Sequence, residues 1–291
     1  SIYLLLRTYF VDITDDEAWS FYNVKQFWWV ETLCSGNTHW FNFMAIKVAL
    51  LFGLEKAWHL RWFSVLCGIL FLHIGYRWII TLKSWPIKWL AFSLLFLNPY
   101  ALEYLTLARG YASALCFMSL TLYFFIKLDM QIKNRYLDSL PLFFAGGSAI
   151  ANFNFFYFFT AFSLVYFYRY HFKNGFSFFK NKFFYIEIVY VAIIVCLVLR
   201  ALLFIKECSN DIVSFGGDDF INDTIGSFID SLFYHQFYFL ANVRFLLAAA
   251  FLLFIVIAVG YGITKTKTHG SLLFSAVSLL LGIIILLVIF N

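Results

Sequence analysis

Three consecutive carboxylates, Asp15, Asp16 and Glu17, lie in the stretch Asp12-Ile13-Thr14-Asp15-Asp16-Glu17-Ala18-Trp19. Acids this close repel one another, which raises the proton affinity of some of them unless a cation approaches. A carboxylate held in that state can take a proton from a hydroxyl or an amine. The alternative is a solvated acidic loop in which Thr14 or Asp15 caps a helix. A cationic candidate is Arg109, in Leu107-Ala108-Arg109-Gly110-Tyr111 at the mouth of an apolar run. Its planar fork suits a phosphate, although a guanidinium there can also snorkel to the surface. Gly110 would let a bulky ligand approach the backbone, and Tyr111 stands beside it. A third stretch, residues 215–227, holds the turn Gly216-Gly217 followed by Asp218 and Asp219; the ligand spacing of a calcium-binding EF-hand is absent. His39 and His235 lack partners at zinc spacing. No nucleophile elbow, phosphate-binding P-loop or HExxH stretch occurs, so no metal or cofactor is expected.

These groups need a scaffold, and the composition dictates its class. Of 291 residues, 63% are apolar, 23% aromatic and 13% charged. A soluble domain carries about 25% charged residues, and such an apolar excess exceeds what one water-soluble core hides. The formal charge of +5 resides in short loops between apolar runs and forms no stripe, which argues against nucleic acid as a partner. Cys67, Cys116 and Cys196 lie within apolar runs and read as small buried hydrophobes. Cys34 and Cys208 are expected in outer loops, where pairing is possible but separate thiols are the simpler reading.

Apolar runs cover residues 60–80, 87–97, 111–126, 140–151, 153–168, 183–205, 239–263 and 271–290. The opening run, residues 2–11, is shorter than the ~20 residues of a span and is expected to be a truncated first helix. The whole chain, residues 1–291, reads as a single all-α transmembrane domain, a polytopic bundle of about nine spans with a continuation past its last residue left open. The uncharged stretch 139–168 is flanked on both sides by basic residues, Lys127, Lys133 and Arg135 before it and Arg169, Lys173, Lys180 and Lys182 after it. Both flanks belong in the cytoplasm by the positive-inside rule, so the stretch is expected to fold as a hairpin turning at Asn152-Phe153-Asn154. The acids, apart from Asp129, Asp138 and Glu187, then fall on the opposite side, concentrated in two long outer segments, residues 12–56 and 206–236. Residues 44–58 read as an amphipathic helix along the outer interface, and Trp58, Trp62, Trp78, Trp85 and Trp89 flank the spans as interfacial aromatics do.

Asp16-Glu17-Ala18 in the first outer loop, Asn37-Thr38-His39 further on, Leu60-Arg61-Trp62-Phe63-Ser64 opening a span, and Asn98-Pro99 leading into Ala108-Arg109-Gly110-Tyr111 follow one another in an order that resembles the C-type (GT-C) polytopic glycosyltransferases. That family includes protein O-mannosyltransferases and lipid A aminoarabinose transferases. The resemblance covers residues 1–170 and, more loosely, the Gly-Gly-Asp-Asp loop. The chain departs from it at Trp40, where many relatives have proline, and at Leu107, where many have glutamate. The resemblance implies transfer of a sugar from a polyprenyl-phosphate carrier to an acceptor glycan, lipid or protein on the extracytoplasmic face of a bacterial inner membrane. Asp16 would be the base, with Asp15 and Glu17 in support. Arg109 would clamp the carrier phosphate beside Tyr111, and His39, Glu103, Asp218 and Asp219 would line the substrate. Membrane lipids and other membrane proteins are the further expected partners. The alternatives are a transporter or flippase, whose charges gather near the bilayer midplane, and a non-catalytic subunit of a membrane assembly.

Overall fold

A computed structural model of the chain describes residues 2–26, 39–82, 85–97, 99–131, 138–172 and 182–208. The chain divides into two compact units, Ser1–Val213 and Ser214–Asn291, and all the described residues belong to the first. Asp218, Asp219, Cys34, the expected spans at 239–263 and 271–290, and the loops carrying Lys133 and Lys180 lie outside the described residues.

Among the described residues every regular element is helical and no strand occurs. The helices are α1 (Ile2–Phe10), α2 (Asp15–Gln26), α3 (Trp40–Leu51), α4 (Ala57–Leu60), α5 (Trp62–Thr81), α6 (Trp85–Phe96), α7 (Pro99–Tyr104), α8 (Tyr111–Gln131), α9 (Leu140–Ala151), α10 (Phe156–Phe167) and α11 (Lys182–Cys208). Trp62–Thr81 in α5 and Lys182–Ala201 in α11 are long and apolar enough to cross a membrane, and α3, α8 and α9 hold shorter apolar stretches.

The centre of the bundle is α9, because its side chains are small. Ala145, Gly146, Gly147, Ser148 and Ala149 are all buried, and stripes of small residues let helix backbones approach closely. Phe117 of α8 packs on Gly147, and the Tyr190 ring of α11 packs on Gly146. Tyr190 Oη donates to Phe143 O at 2.9 Å. The hairpin expected at 152–154 is present. Asn152 ends α9 and accepts Asn154 N–H on its side chain. At the far end, Tyr166 Oη of α10 lies 3.1 Å from Asp138 O, so the two helices run antiparallel. Buried Glu187 of α11 accepts from Ser139 Oγ at 2.6 Å and from Tyr166 Oη at 2.8 Å, fastening the open end of the hairpin to α11.

Three details depart from the sequence reading. The first outer segment is no plain acidic loop, because Thr14-x-x-Glu17 starts helix α2 there. No single interfacial helix spans residues 44–58. Instead α3 begins at Trp40 and stops at Leu51, where Gly53 at φ 69° turns the chain as only glycine readily does. Its exposed side is apolar too, with Met44, Val48 and Leu51 outward, while Phe43, Ile46 and Ala49 pack with Val24, Leu60 and Ala108. Cys196 is exposed on α11, unlike buried Cys67 and Cys116, and Cys208 closes α11 and so does not sit in a loop.

Candidate functional site

Helix α2 begins at the acidic triplet, and the reason is local. Glu17 lies three residues after Thr14, the spacing of a capping box. Its Oε2 accepts from Thr14 N at 3.0 Å and from Thr14 Oγ1 at 3.1 Å. All three acids sit in the first turn, where the helix dipole favours negative charge.

Glu17 itself is only 1% exposed, as is Arg61 at the start of α5. The two form a bidentate pair, with Arg61 Nε donating to Oε1 at 2.8 Å and Nη2 to Oε2 at 2.5 Å. Ala108 N–H adds a bond to Oε1 at 2.6 Å. Arg61 also donates to Val11 O at 2.6 Å and Asp12 O at 2.7 Å, satisfying carbonyls left open at the end of α1. Burial pushes the Glu17 carboxyl up, but the bonds from Arg61 and Ala108 and the Arg61 charge outweigh it and hold the group below its ordinary value. One guanidinium and one carboxylate thus join α1, the start of α2, the start of α5 and the backbone just before Arg109. Glu17 has no free lone pair for a substrate proton, so its expected support for Asp16 takes the form of positioning.

Its neighbour Asp16 faces the other way. The side chain is 47% exposed, and Oδ2 meets Arg109 Nη2 at 3.0 Å. The Arg109 guanidinium, 18% exposed, lies 5.8 Å from the centre of the Tyr111 ring, within the range of a cation–π contact. Tyr104 stacks edge-on against Tyr111 with centroids 5.0 Å apart. His39, just ahead of α3, lies 5.8 Å from Tyr111 on another side. The His39 ring is held neutral, with burial and the nearby Arg109 charge bringing its pKa down to about 4.

Gly110 is needed here for a different reason from the one its sequence position suggests. A Cβ at Gly110 would stand 1.9 Å from Ala151 O and 2.8 Å from His39 Nδ1. The space is taken by the protein's own hairpin turn and the His39 ring, which leaves no room there for a ligand. The missing side chain is what brings Asn152 and His39 up to Arg109 and Tyr111.

Asp16, Arg109, Tyr111 and His39 are therefore brought together. Asp15 is exposed and makes no hydrogen bond or ion pair among the described residues. Glu103 is ion-paired with Arg7, joining α7 to α1. Sequence reasoning quoted Arg61 only within the stretch that opens a span and Asn152 only at the hairpin turn, and gave neither a place in the site. The Thr14-x-x-Glu17 spacing is the one local signal that Glu17 folds back on the start of the helix, but nothing in the sequence says that it is buried or that Arg61 meets it. A hollow lined by Val24, Lys25, Lys47 and Glu55 lies toward the other end of α2, away from these groups. No cluster of three or more His, Cys, Asp or Glu fit for a metal ion occurs among the described residues.

In chemical terms the arrangement offers a half-exposed carboxylate and a planar cation in contact, with aromatic and imidazole walls. No protein-family model, curated protein or solved structure matches the chain.

Proposed function

We propose that the chain is a membrane glycosyltransferase of the C type, with about nine spans and its site on the extracytoplasmic face of a bacterial inner membrane. It moves a sugar from a polyprenyl-phosphate carrier to an acceptor glycan, lipid or protein. The observation that carries this reading is the Asp16–Arg109 pair. Two residues remote in sequence, selected for base and phosphate chemistry, meet at 3.0 Å in a half-exposed position. Supporting the membrane setting, α11 presents Ile186, Val189, Ile193 and Leu203 outward, an apolar face that water disfavours and lipid accepts.

In this scheme Asp16 accepts the proton of the attacking hydroxyl or amine as it bonds to the sugar's anomeric carbon. The carbon–oxygen bond to the carrier phosphate breaks, and Arg109 stabilises the charge that gathers on the departing phosphate. Tyr111 holds the Arg109 fork in place. His39, neutral at pH 7, lines the site without adding a second cation.

The test uses purified chain in nanodiscs with a polyprenyl-phosphate sugar, read as donor binding and sugar release. Arg109→Lys keeps the charge but loses the fork, and donor affinity is expected to fall roughly 10- to 150-fold, the equivalent of one charge-assisted bond. Unchanged affinity in Arg109→Ala would remove the clamp. Movement of intact donor across the bilayer with no sugar release would favour a flippase.

A further inference from the structure

The hollow toward the far end of α2 takes no part in the scheme above. It measures about 380 Å³, within the ~300–1,000 Å³ of ligand pockets. It lies between the last turn of α2 and the end of α3. Lys25, Lys47 and Glu55 bring two ammonium groups and one carboxylate to it, while Val24, Leu50 and Leu51 give it apolar walls. The lysines of the outer segment, residues 12–56, are Lys25, Lys47 and Lys56, and the first two of them line this hollow. The positive-inside rule keeps lysines out of short outer segments, so two brought to one place call for a reason.

The helices themselves do not supply it. Lys25 Nζ reaches Glu55 Oε1 at 3.2 Å, but both side chains are more than half exposed, and a surface pair of that kind stabilises little. Helix α3 has no need of Lys47 as a cap. The carbonyls of Ala49 and Leu50 at its end are taken by Leu54 and Gly53 N–H at 3.0 and 2.9 Å, the backbone closure that a left-handed glycine allows.

The surface next to the hollow is apolar. Leu51 and Phe52 are 79% and 76% exposed. A short way along the chain Trp58 and Trp62, both exposed, stand at the start of the α5 span, where interfacial aromatics belong. Ammonium groups beside exposed apolar side chains at a membrane interface suit a ligand with an anionic head and an apolar tail.

We propose that this hollow binds the headgroup of an anionic phospholipid from the outer leaflet. Lys25 and Lys47 hold the phosphodiester oxygens as point charges, and Leu50, Leu51 and Phe52 lie against the acyl chains. The phosphate takes the place of Glu55 at Lys25, an exchange that an exposed pair allows at little cost. The inference rests on the membrane setting of the proposed function and not on sugar transfer.

The test counts lipid bound to the purified full chain in nonionic detergent by native mass spectrometry. The probes are phosphatidylglycerol, phosphatidylcholine and soluble glycerol phosphate. We expect phosphatidylglycerol to be preferred over phosphatidylcholine. Lys25→Gln and Lys47→Gln should each weaken it roughly fivefold, the share of one lysine at an anionic surface. Lys56→Gln, beside Glu55 in sequence but not lining the hollow, should leave it unchanged, and Glu55→Gln should tighten it. Equal losses in all three lysine variants would mean diffuse attraction and overturn the site. Equal affinity for the two lipids would overturn it too, as would glycerol phosphate binding as tightly as the lipid, since the apolar walls would then play no part. Weaker binding in Glu55→Gln would overturn the exchange at Lys25. If Lys47→Gln fails to fold, Lys47→Arg keeps the charge and should bind like wild type, and the exposed Lys25→Gln decides the matter. Sugar release without a preference for phosphatidylglycerol would overturn this inference and leave the parent reading standing. The preference without sugar release would do the reverse. A chain that stays soluble and monodisperse without detergent would overturn both.

Discussion

Asp16 and Glu17 are adjacent in one helical turn, and each meets an arginine, yet their surroundings are opposite. The Glu17–Arg61 pair is almost wholly buried and saturated, with both carboxylate oxygens and the guanidinium engaged by side chains and backbone. The Asp16–Arg109 pair is half open, held by one contact at 3.0 Å, and leaves Arg109 Nε without a partner. A buried pair with every bond made cannot release a proton or change partner without exposing bare charge. An open pair can exchange its partner for a ligand at little cost. The same two residue types therefore do two jobs, with the closed pair setting the distance across which the open pair works.

That division is easiest to break from the closed side. Arg61→Met leaves the Glu17 carboxylate buried without its counter-charge, and removing one partner of a buried pair typically costs 3–5 kcal/mol. Unfolding in detergent micelles checks this. Loss of well under ~1 kcal/mol would mean that the pair behaves like a surface contact and that the contrast with Asp16 is false. Glu17→Gln, which keeps shape, should be milder than Arg61→Met.

Acid sharpens the comparison next. His39 has its pKa lowered from 6.5 to about 4 in the folded chain. Between those values the unfolded chain binds the proton and the folded chain does not, so stability falls as pH drops through that window. The total is on the order of 2–4 kcal/mol. Glu17, also lowered, adds stability that is present above its unfolded value of 4.5 and lost at lower pH still. Replacing His39 with Phe should abolish the loss between pH 6.5 and 4 and leave the more acidic one. A stability profile of unchanged shape in His39→Phe would contradict the assignment.

Gly110→Ala is expected to cost at least the ~1–3 kcal/mol of an ordinary overpacked methyl, because the atom 1.9 Å from the new Cβ is a backbone oxygen and cannot swing aside as a side-chain tip would. Its value lies in where the strain falls. The new Cβ meets Ala151 O and the His39 ring, so the hairpin turn is pushed from Arg109 while Glu17 and Arg61 keep their bonds. Donor affinity should drop more than stability does. Equal melting and equal donor affinity to wild type would show that the close approach is dispensable.

Much of this was legible in the sequence, and the remainder failed for identifiable reasons. The α9–α10 hairpin followed from basic residues on both flanks of an uncharged stretch. Arg109 and Tyr111 stood out because a cation beside an apolar run is conspicuous. The role of Glu17 was hidden because two adjacent acids look alike in a string, and only the helical turn sends one inward and the other outward. The pairing of Arg61 went unseen for a related reason, since its partner lies far away in sequence and no local pattern encodes the meeting. The helix at 44–58 was misread because Lys47, Glu55 and Lys56 suggested a polar face, whereas Gly53 ends α3 before two of them.

The most direct measurement is sugar release from a polyprenyl-phosphate donor by the purified wild-type chain, Asp16→Asn and Glu17→Gln, each with its melting curve. The account predicts that Asp16→Asn folds and binds donor like wild type but releases sugar about 10²–10⁴-fold more slowly, the span of general-base catalysis. In Glu17→Gln any loss of release should follow the loss of stability. Release at the wild-type rate in Asp16→Asn, or a slow Asp16→Asn whose melting has collapsed while Glu17→Gln melts normally, would contradict it.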